Sequence, residues 1–260
     1  MIETNIIAII QARLGSSRLP EKVLLELKGK SVIRHVAERT MASKTLSKTF
    51  VATTILQEDQ KIVKECSKNG INVFCGSEND VLDRYYQLSK LLKPDHIVRI
   101  TADCPLIDPQ VIDLVIKEHL SSDADYTSNT LDIPYPDGQD VEIFKFQALE
   151  DTWIKAKLTS EREHVTPFIK FDEKTFKINK ILSTEKNSNY RWTLDEKEDF
   201  DLIKIIFDEL YDENHLFSMN DIIKFLDRNK NLLSINSMYL REEGYRKSLK
   251  NDKIIGGEQK

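Results

Sequence analysis

Short β-branched runs alternate with amphipathic helical stretches over the first half of the chain, and this alternation constrains the fold more than any other feature. The strand-like runs are NIIAII, KTFVATTI, INVFC and DHIVRI, and the helical stretches between them are SVIRHVAERTMAS, EDQKIVKECSKNG and VLDRYYQLSKLL. A βαβα order predicts an α/β fold with a mostly parallel, doubly wound sheet and helices on both faces. Ligands of such sheets bind beyond the carboxyl ends of the strands.

The alternation loosens after about Asp123. DYTSNT and QDVEIFKF are typical of strands, and they flank the turn-rich segment DIPYPDGQ. We predict helices from Ala148 and over residues 160–170, a strand near residues 176–182, and a helical C-terminal part made of EKEDFDLIKIIFDEL, MNDIIKFLDRN and a segment up to Lys250. Because no linker divides the chain, we predict one domain over residues 1–252 and a frayed tail over residues 253–260.

Charge and composition exclude several classes of protein. Lys plus Arg number 38 and Asp plus Glu number 43, so the net charge of −5 argues against a general nucleic-acid binder but permits a small basic pocket. The three cysteines lack CxxC spacing, which suits a reducing compartment. No basic leader precedes Ile6, and no apolar run approaches the roughly 20 residues of a membrane span. These features predict a cytoplasmic protein without membrane contact.

A basic loop follows the first strand. Arg13, Arg18 and Lys22 surround the sequence Gly15–Ser17, in which a glycine is followed by two serines. The loop matches neither the Walker pattern nor GxGxxG. Its glycine nevertheless permits close approach of the backbone to a ligand, its hydroxyls can donate hydrogen bonds, and its cations can neutralise phosphate oxygens. The alternative is a solvated basic turn in which Arg18 and Lys22 pair with surface acids.

One aspartate is a candidate ligand of a divalent cation, and a second has a local role at a helix start. Asp103 follows the fourth strand, at a carboxyl end where ligands collect, and its carboxylate suits Mg²⁺. The alternative is that Asp103 only caps a turn. Asp195 lies just before a helix, and local sequence favours an N-cap role for it, with Glu198 completing a capping box.

Seven motifs give the chain a family resemblance. They are IIQARLGSSRLPEKVL, GSENDVLDRYYQ, VRITADCPLIDP, GQDVEIFKFQALE, SEREHVTPFI, YRWTLDEKEDFDLI and EGYRKSLKND. In this order they resemble the CMP-sugar synthetases (cytidylyltransferases), most closely the spore coat polysaccharide cytidylyltransferase-like branch, which is related to the CMP-KDO and CMP-acylneuraminate synthetases. The resemblance implies a GT-A-like nucleotidyltransferase (pyrophosphorylase) fold. It also implies transfer of CMP from CTP to a sugar acid with release of pyrophosphate, dependence on Mg²⁺, and a homodimer.

The resemblance also implies roles for residues. Arg13 and Lys22 would hold phosphates, and Asp103 and Asp195 would bind the metal, so these four are the candidate catalytic residues. Residues 1–122 would form the nucleotide-binding half and residues 123–252 the sugar-binding and helical half. The candidate nucleotide-binding residues are Ala12, Arg13, Gly15, Ser16, Ser17, Arg18, Lys22, Ser77, Asp80, Thr101 and Asp103. For Asp80 a plain i,i+4 salt bridge with Arg84 is an equally natural role.

Substrate-side candidates lie in the second half. They are Asp137, Gln139, Asp140, Glu142, Arg162, His164 and Arg191. A sugar acid bears a carboxylate, and Arg162 or Arg191 can pair with it bidentately. The alternatives are strand alternation for Asp140 and Glu142, and an ordinary first helical turn for Arg162 and His164.

Two positions depart from the family pattern, and two other functions stay open. Glu21 and Ala102 stand where the family usually has glycine, and Glu21 would be costly if its φ angle is positive. One rival is a GT-A glycosyltransferase that uses a nucleotide-sugar, with the sequence DAD at residues 123–125 as its metal motif. The other rival is a non-catalytic nucleotide-binding protein of the same fold.

Overall fold

A seven-stranded sheet in the order β5-β4-β1-β6-β8-β7-β9 forms the centre of the protein. The computed structural model describes residues 4–255. Neighbouring strands pair in parallel except where β8 lies antiparallel to β6 and β7. The strands of this sheet are β1 (Ile6–Gln11), β4 (Lys48–Thr54), β5 (Asn72–Gly76), β6 (His96–Thr101), β7 (Tyr126–Ser128), β8 (Glu142–Lys145) and β9 (Ile178–Lys180).

Helices cover both faces of the sheet because the residues of β1 alternate between two cores. Ile6, Ala8 and Ile10 pack with α1, α2, α4, α9 and α10, whereas Ile7 and Ile9 pack with α3, α5 and α7. The helices are α1 (Val32–Met41), α2 (Gln60–Lys68), α3 (Val81–Leu92), α4 (Pro109–Ser122), α5 (Phe146–Lys155), α6 (Thr159–His164), α7 (Pro167–Lys170), α8 (Glu185–Ser188), α9 (Lys197–Leu210), α10 (Met219–Arg228) and α11 (Glu243–Lys250). The predicted α/β fold, mostly parallel with a helical C-terminal part, is confirmed.

Several element boundaries differ from the sequence-based prediction. A short hairpin, β2 (Glu26–Leu27) and β3 (Lys30–Ser31), turns through Lys28 and Gly29, both with positive φ, and was not predicted. Helix α5 begins directly after β8, two residues before Ala148. The single helix predicted over residues 160–170 is divided into α6 and α7, because Val165 adopts a φ of 70° that ends α6.

The predicted frayed tail does not begin at residue 253. The N–H of Ile255 donates a 2.8 Å hydrogen bond to the carbonyl of Lys157, and the N–H of Thr159 donates to the carbonyl of Lys253 at 2.9 Å. The carboxylate of Asp252 accepts hydrogen bonds from the backbone and hydroxyl of Ser160. Contacts with α6 and the residues before it therefore hold residues 252–255 in place, while residues 256–260 of the predicted tail lie outside the described residues.

A glycine brings the turn of the segment DIPYPDGQ against a distant strand-like segment. Gly138 has a φ of 102°, and a Cβ atom there would lie 2.6 Å from the carbonyl carbon of Trp192. The N–H of Asp137 donates to the carbonyl of Tyr190 at 2.9 Å, and the N–H of Trp192 donates to the carbonyl of Asp137 at 2.6 Å. This close pairing directs the segment that carries Asp195 toward the carboxyl ends of the central strands.

Among residues 4–255, no helix is both long enough and apolar enough to cross a membrane.

Candidate active site

The basic loop after β1 is anchored by a buried carboxylate. Asp59 accepts a 2.7 Å hydrogen bond from the N–H of Leu14 and another from the hydroxyl of Thr54. Beyond this anchor, a Cβ atom added to Gly15 would meet no atom within 4 Å. The loop backbone at Gly15 therefore faces open space, as a loop that receives a polyanion requires.

Lys22 lies between the two candidate metal-binding aspartates. Its Nζ donates 2.8 Å hydrogen bonds to Oδ2 of Asp103 and to Oδ1 of Asp195, and only 12% of its side chain is exposed. Burial opposes the charged form, but the two carboxylates outweigh it and raise the pKa of Lys22 above its ordinary value. Burial likewise opposes the ionised form of Asp103, yet the charge and hydrogen bond of Lys22 lower its pKa to about 2. Lys22 and Asp103 are therefore both ionised at neutral pH.

Asp195 faces the cavity because another carboxylate caps helix α9. The expectation that Asp195 is the N-cap is wrong: the N-cap is Glu196, and its partner in the capping box is Asp199, not Glu198. The buried carboxylate of Asp199 accepts hydrogen bonds from the N–H groups of Asp195 and Glu196 at 3.0 and 2.9 Å. Asp199 also pairs bidentately with Arg191, at 2.9 Å for both contacts. This network fixes the backbone at Asp195 and leaves its side chain directed at Lys22.

Glu21 adopts the left-handed conformation, with a φ of 54°. A residue with a side chain is strained in this region relative to glycine. The positive φ therefore explains why the family usually has glycine at this position. The carboxylate of Glu21 forms an ion pair with Lys61 of α2. Its negative charge is therefore balanced by a neighbouring cation.

A first cavity of about 300 Å³ opens above the loop. It is lined by loop residues, by the ends of β1 and β6, and by a few side chains from α3, α6 and the segment before α9: Gln11, Ala12, Arg13, Gly15, Ser16, Ser17, Arg18, Lys22, Val23, Val81, Arg84, Thr101, Ala102, Asp103, Glu163, His164 and Asp195. Arg13 is half exposed, and its nearest carboxylate is Glu163 at 3.6 Å. Apart from Ser77 and Asp80, every predicted nucleotide-binding residue lines this cavity.

A second cavity of about 260 Å³ adjoins the first. The two cavities share six residues: Gln11, Arg18, Thr101, Asp103, His164 and Asp195. Among the predicted substrate-side residues, Asp137, Asp140, Glu142, His164 and Arg191 line the second cavity. Burial and the neighbouring charge of Asp140 raise the pKa of Asp137 to about 7. Burial lowers the pKa of His164 to about 4, so its imidazole is neutral.

Four predicted site residues lie elsewhere. Ser77 and Asp80 line neither cavity, and Asp80 caps α3 and pairs with Arg162 rather than with Arg84. Arg162 also donates to the carbonyl of Trp153 at 2.7 Å, which leaves it no free face toward a substrate.

Gln139 is the fourth of these residues, and it is fully buried. Its amide donates to the carbonyl of Leu106 at 2.5 Å and accepts from the N–H of Asp108 at 2.9 Å. Gln139 therefore joins two loops and is not available to a ligand.

The donor set at Lys22 fits a hard cation. Asp103 and Asp195 present carboxylate oxygens that converge on one atom, and Mg²⁺ prefers such ligands together with phosphate oxygens and water. Within residues 4–255, no group of three or more His, Cys, Asp or Glu side chains is arranged to hold a metal ion. A cation held by Asp103 and Asp195 would therefore need further ligands from phosphate oxygens or water.

The DAD sequence has a structural role. Asp123 is the C-cap of α4, with a φ of 50°, and Lys145 forms ion pairs with Asp123 at 2.9 Å and Asp125 at 3.2 Å. Neither aspartate lines a cavity described above.

Sequence reasoning gave no role to several residues of the second cavity. Arg99 lies on β6, Lys170 ends α7, and Arg241 and Tyr245 come from the C-terminal segment. Tyr245 belongs to EGYRKSLKND, one of the seven family motifs, and this membership was the one sequence signal that could have pointed to it. The residues carry no local mark of a site because each reaches the cavity only through the tertiary fold.

The architecture and the basic loop define a nucleotidyltransferase. A solved structure of a cytidylyltransferase from Leptospira borgpetersenii superposes with a TM-score of 0.83 at 30% sequence identity, covering 92% of this chain and 100% of that one. The profile described as Cytidylyltransferase matches residues 7–236. The chain therefore belongs to the cytidylyltransferase family.

Three curated relatives extend the comparison. An uncharacterized protein of Methanocaldococcus jannaschii is 42% identical over 93% of this chain and 98% of its own length. The spore coat polysaccharide biosynthesis protein SpsF of Bacillus subtilis is 32% identical over 86% of this chain and 95% of its own length. The 3-deoxy-manno-octulosonate cytidylyltransferase of Trichlorobacter lovleyi is 35% identical over 45% of this chain and 46% of its own length.

Proposed function

We propose that this cytidylyltransferase transfers CMP from CTP to a sugar acid of the octulosonate or nonulosonate type, releasing pyrophosphate, for surface polysaccharide or glycan biosynthesis. One observation carries the proposal: two adjoining cavities meet at the cluster of Lys22, Asp103 and Asp195. Two substrates placed in these cavities would meet at that cluster. The name of the relative from Trichlorobacter lovleyi supports the sugar-acid class, and that of the relative from Bacillus subtilis supports polysaccharide biosynthesis.

The first cavity suits the nucleotide. Arg13, Arg18 and Lys22 would contact the phosphates, aided by the hydroxyls of Ser16 and Ser17. Arg18 now pairs with Asp195 and Glu196, both at 2.9 Å, so binding of CTP would exchange these ion pairs for phosphate contacts. Arginine contacts would stabilise the departing pyrophosphate as its negative charge develops.

Asp103 and Asp195 would hold Mg²⁺ with the nucleotide. The ion, when bound, would neutralise charge on the α-phosphate. Lys22 already touches both carboxylates, so it would keep them close together at the junction of the cavities. A hydroxyl of the sugar acid would then form a bond to the α-phosphorus while the bond to the β-phosphate oxygen breaks and the hydroxyl proton is released.

The second cavity suits the acceptor. Asp137 and Asp140 offer acceptors for sugar hydroxyls, and Arg191 orders Asp137 through a 3.3 Å contact. Glu142 lines the cavity, but Arg99, Tyr126 and Thr166 already engage its oxygens. Gln139 and Arg162 are not carried into this proposal because their donors are used within the protein. A cytoplasmic location and a homodimer stay predictions.

A substrate panel tests the proposal. The purified protein is incubated with Mg²⁺, with each of CTP, UTP, ATP and GTP, and with a set of octulosonic and nonulosonic acids, and pyrophosphate is measured. We expect release that requires CTP and a sugar acid together. Release of nucleoside diphosphate from a nucleotide-sugar would instead indicate a glycosyltransferase. Binding of CTP without pyrophosphate release from any acid would indicate a non-catalytic nucleotide-binding protein.

A further inference from the structure

The second cavity contains five cationic side chains, and any carboxylate of an acceptor must find its partner among them. They are Arg18, Arg99, Lys170, Arg191 and Arg241. A cation that is already bound bidentately by a protein carboxylate has little remaining capacity for a ligand, because its donors are used. The hydrogen bonds of each cation therefore decide which one can receive the substrate.

Two of the arginines are held by protein acceptors on the far wall of the cavity. Arg191 uses Nε and Nη2 in its bidentate pair with Asp199. Arg241 pairs with Asp140 and donates to the carbonyl of Tyr135 at 2.6 Å. Both guanidinium groups therefore stabilise the cavity wall, and most of their donors are used by protein acceptors.

The other two arginines are held near the junction of the cavities. Arg99 forms a close ion pair with the buried carboxylate of Glu142. Arg18 pairs with Asp195 and Glu196, and the proposed function assigns it to the nucleotide phosphates.

Lys170 differs from these four cations. Its side chain is only 11% exposed, and its nearest carboxylate oxygen belongs to Glu242, at 4.0 Å. Among the described residues, no atom accepts a hydrogen bond from its Nζ. The Nζ lies 5.1 Å from the ring centroids of both Phe171 and Tyr245, so aromatic faces confine the ammonium group without using its N–H donors.

A purely structural role would require a protein anion that needs Lys170. Glu142 is the obvious candidate, since the charge of Lys170 helps to lower its pKa. However, one oxygen of Glu142 is engaged by Arg99, and the other accepts hydrogen bonds from Tyr126 and Thr166. The protein therefore already satisfies Glu142, and the three donors of Lys170 are left to the cavity.

We propose that Lys170 binds the carboxylate of the acceptor and thereby selects acidic over neutral sugars. This inference rests on the proposed function. The ammonium is a compact donor group in a confined position, which suits a single carboxylate oxygen or a pair of them. The ring of Tyr245, which also contacts the imidazole of His164 edge-on at 5.0 Å, fixes the wall against which that carboxylate would lie.

The test compares sugar acids with their carboxylate-free alcohol analogues in the pyrophosphate assay. Wild-type protein should favour the acid strongly in kcat/KM. In Lys170→Gln, the kcat/KM for the acid should fall about 10- to 100-fold, the loss expected for one charge-assisted hydrogen bond. The KM for CTP should not change, since Lys170 lies outside the nucleotide cavity. Lys170→Arg should recover most of the selectivity because it restores the charge.

Lys204→Gln serves as the matched control, since this exposed lysine pairs only with Asp208 on α9. Equal binding of CTP by all variants shows that they are folded. If wild type selects acids and Lys170→Gln keeps that selectivity, the assignment of Lys170 is overturned while the proposed function stands. If wild type accepts neutral analogues as readily as acids, both the acceptor class and the role of Lys170 are overturned.

Discussion

The N–H of Leu194 donates a 2.8 Å hydrogen bond to the carbonyl oxygen of Asp103. This single backbone contact joins the loop after β6 to the segment before α9 and places the side chains of Asp103 and Asp195 on the same ammonium group of Lys22. Residues far apart in the chain thus form one acidic pair at the junction of two cavities.

Replacing Asp103 by Asn should abolish most turnover while the fold is retained. The substitution removes a negative charge at nearly constant volume, and Lys22 keeps Asp195 as a partner. We expect pyrophosphate release to fall at least about 100-fold, the scale of losing one electrostatic contact in the transition state. Asp201→Asn on the exposed side of α9 is the control. Near-normal turnover in Asp103→Asn would exclude the proposed metal role of this residue.

Replacing Lys22 by Ala should weaken the binding of CTP about 10- to 100-fold, because a charge-assisted contact to phosphate is lost. Isothermal titration of CTP into the variant measures the dissociation constant directly. Lys224→Ala is the control, because it removes the same charge from an exposed lysine of α10. A dissociation constant equal to that of wild type would show that Lys22 does not contact the nucleotide.

Glu21 offers a test of backbone strain. Both glycine and alanine at this position lose the ion pair with Lys61, but because φ is 54° glycine relieves the backbone strain, whereas alanine keeps it. We therefore expect Glu21→Gly to be more stable than Glu21→Ala by about 1 kcal/mol in urea unfolding. CTP affinity should be preserved or improved in Glu21→Gly. A marked loss of affinity would mean that Glu21 has a role of its own in binding.

His35 should make the protein sensitive to acid. It is buried, its Nε2 lies 2.7 Å from the carbonyl oxygen of Leu27, and burial lowers its pKa to about 4. Because the unfolded chain binds a proton at this residue more readily than the native protein does, stability falls as the pH drops from about 6.5 toward 4.

The comparison with His35→Gln isolates this effect from those of other titrating groups, among them Asp137, whose raised pKa acts in the opposite direction. Between pH 7 and pH 5, the free energy of unfolding of wild type relative to the variant should decrease by roughly 2 kcal/mol. Urea unfolding at the two pH values measures it. A difference between wild type and variant that is independent of pH would contradict the prediction.

Local features of the sequence predicted the elements that local energetics control. The β-branched run of β1 forms the centre of the sheet, Ser31 and Asp80 cap the helices that follow them, and the basic loop lies at a carboxyl end of the sheet. The start of α9 offers two neighbouring acids as the N-cap, Asp195 and Glu196, and the prediction that Asp195 is the cap was wrong. Glu196 caps α9 instead, while Asp199 accepts hydrogen bonds from the N–H groups of Asp195 and Glu196 and has its buried charge balanced by Arg191.

The sequence by itself determined the alternation of strands and helices in the first half and the position of the basic loop, because apolar periodicity and turn residues act within a few positions of the chain. Only the tertiary structure decided which side chains share a cavity. It turned Gln139 and Arg162 inward to protein partners and brought Lys170 and Arg241 to the second cavity. The physical reason is that a hydrogen bond such as that from Leu194 to Asp103 joins residues that are far apart in the chain. Contacts of this kind produce no periodic pattern in the sequence.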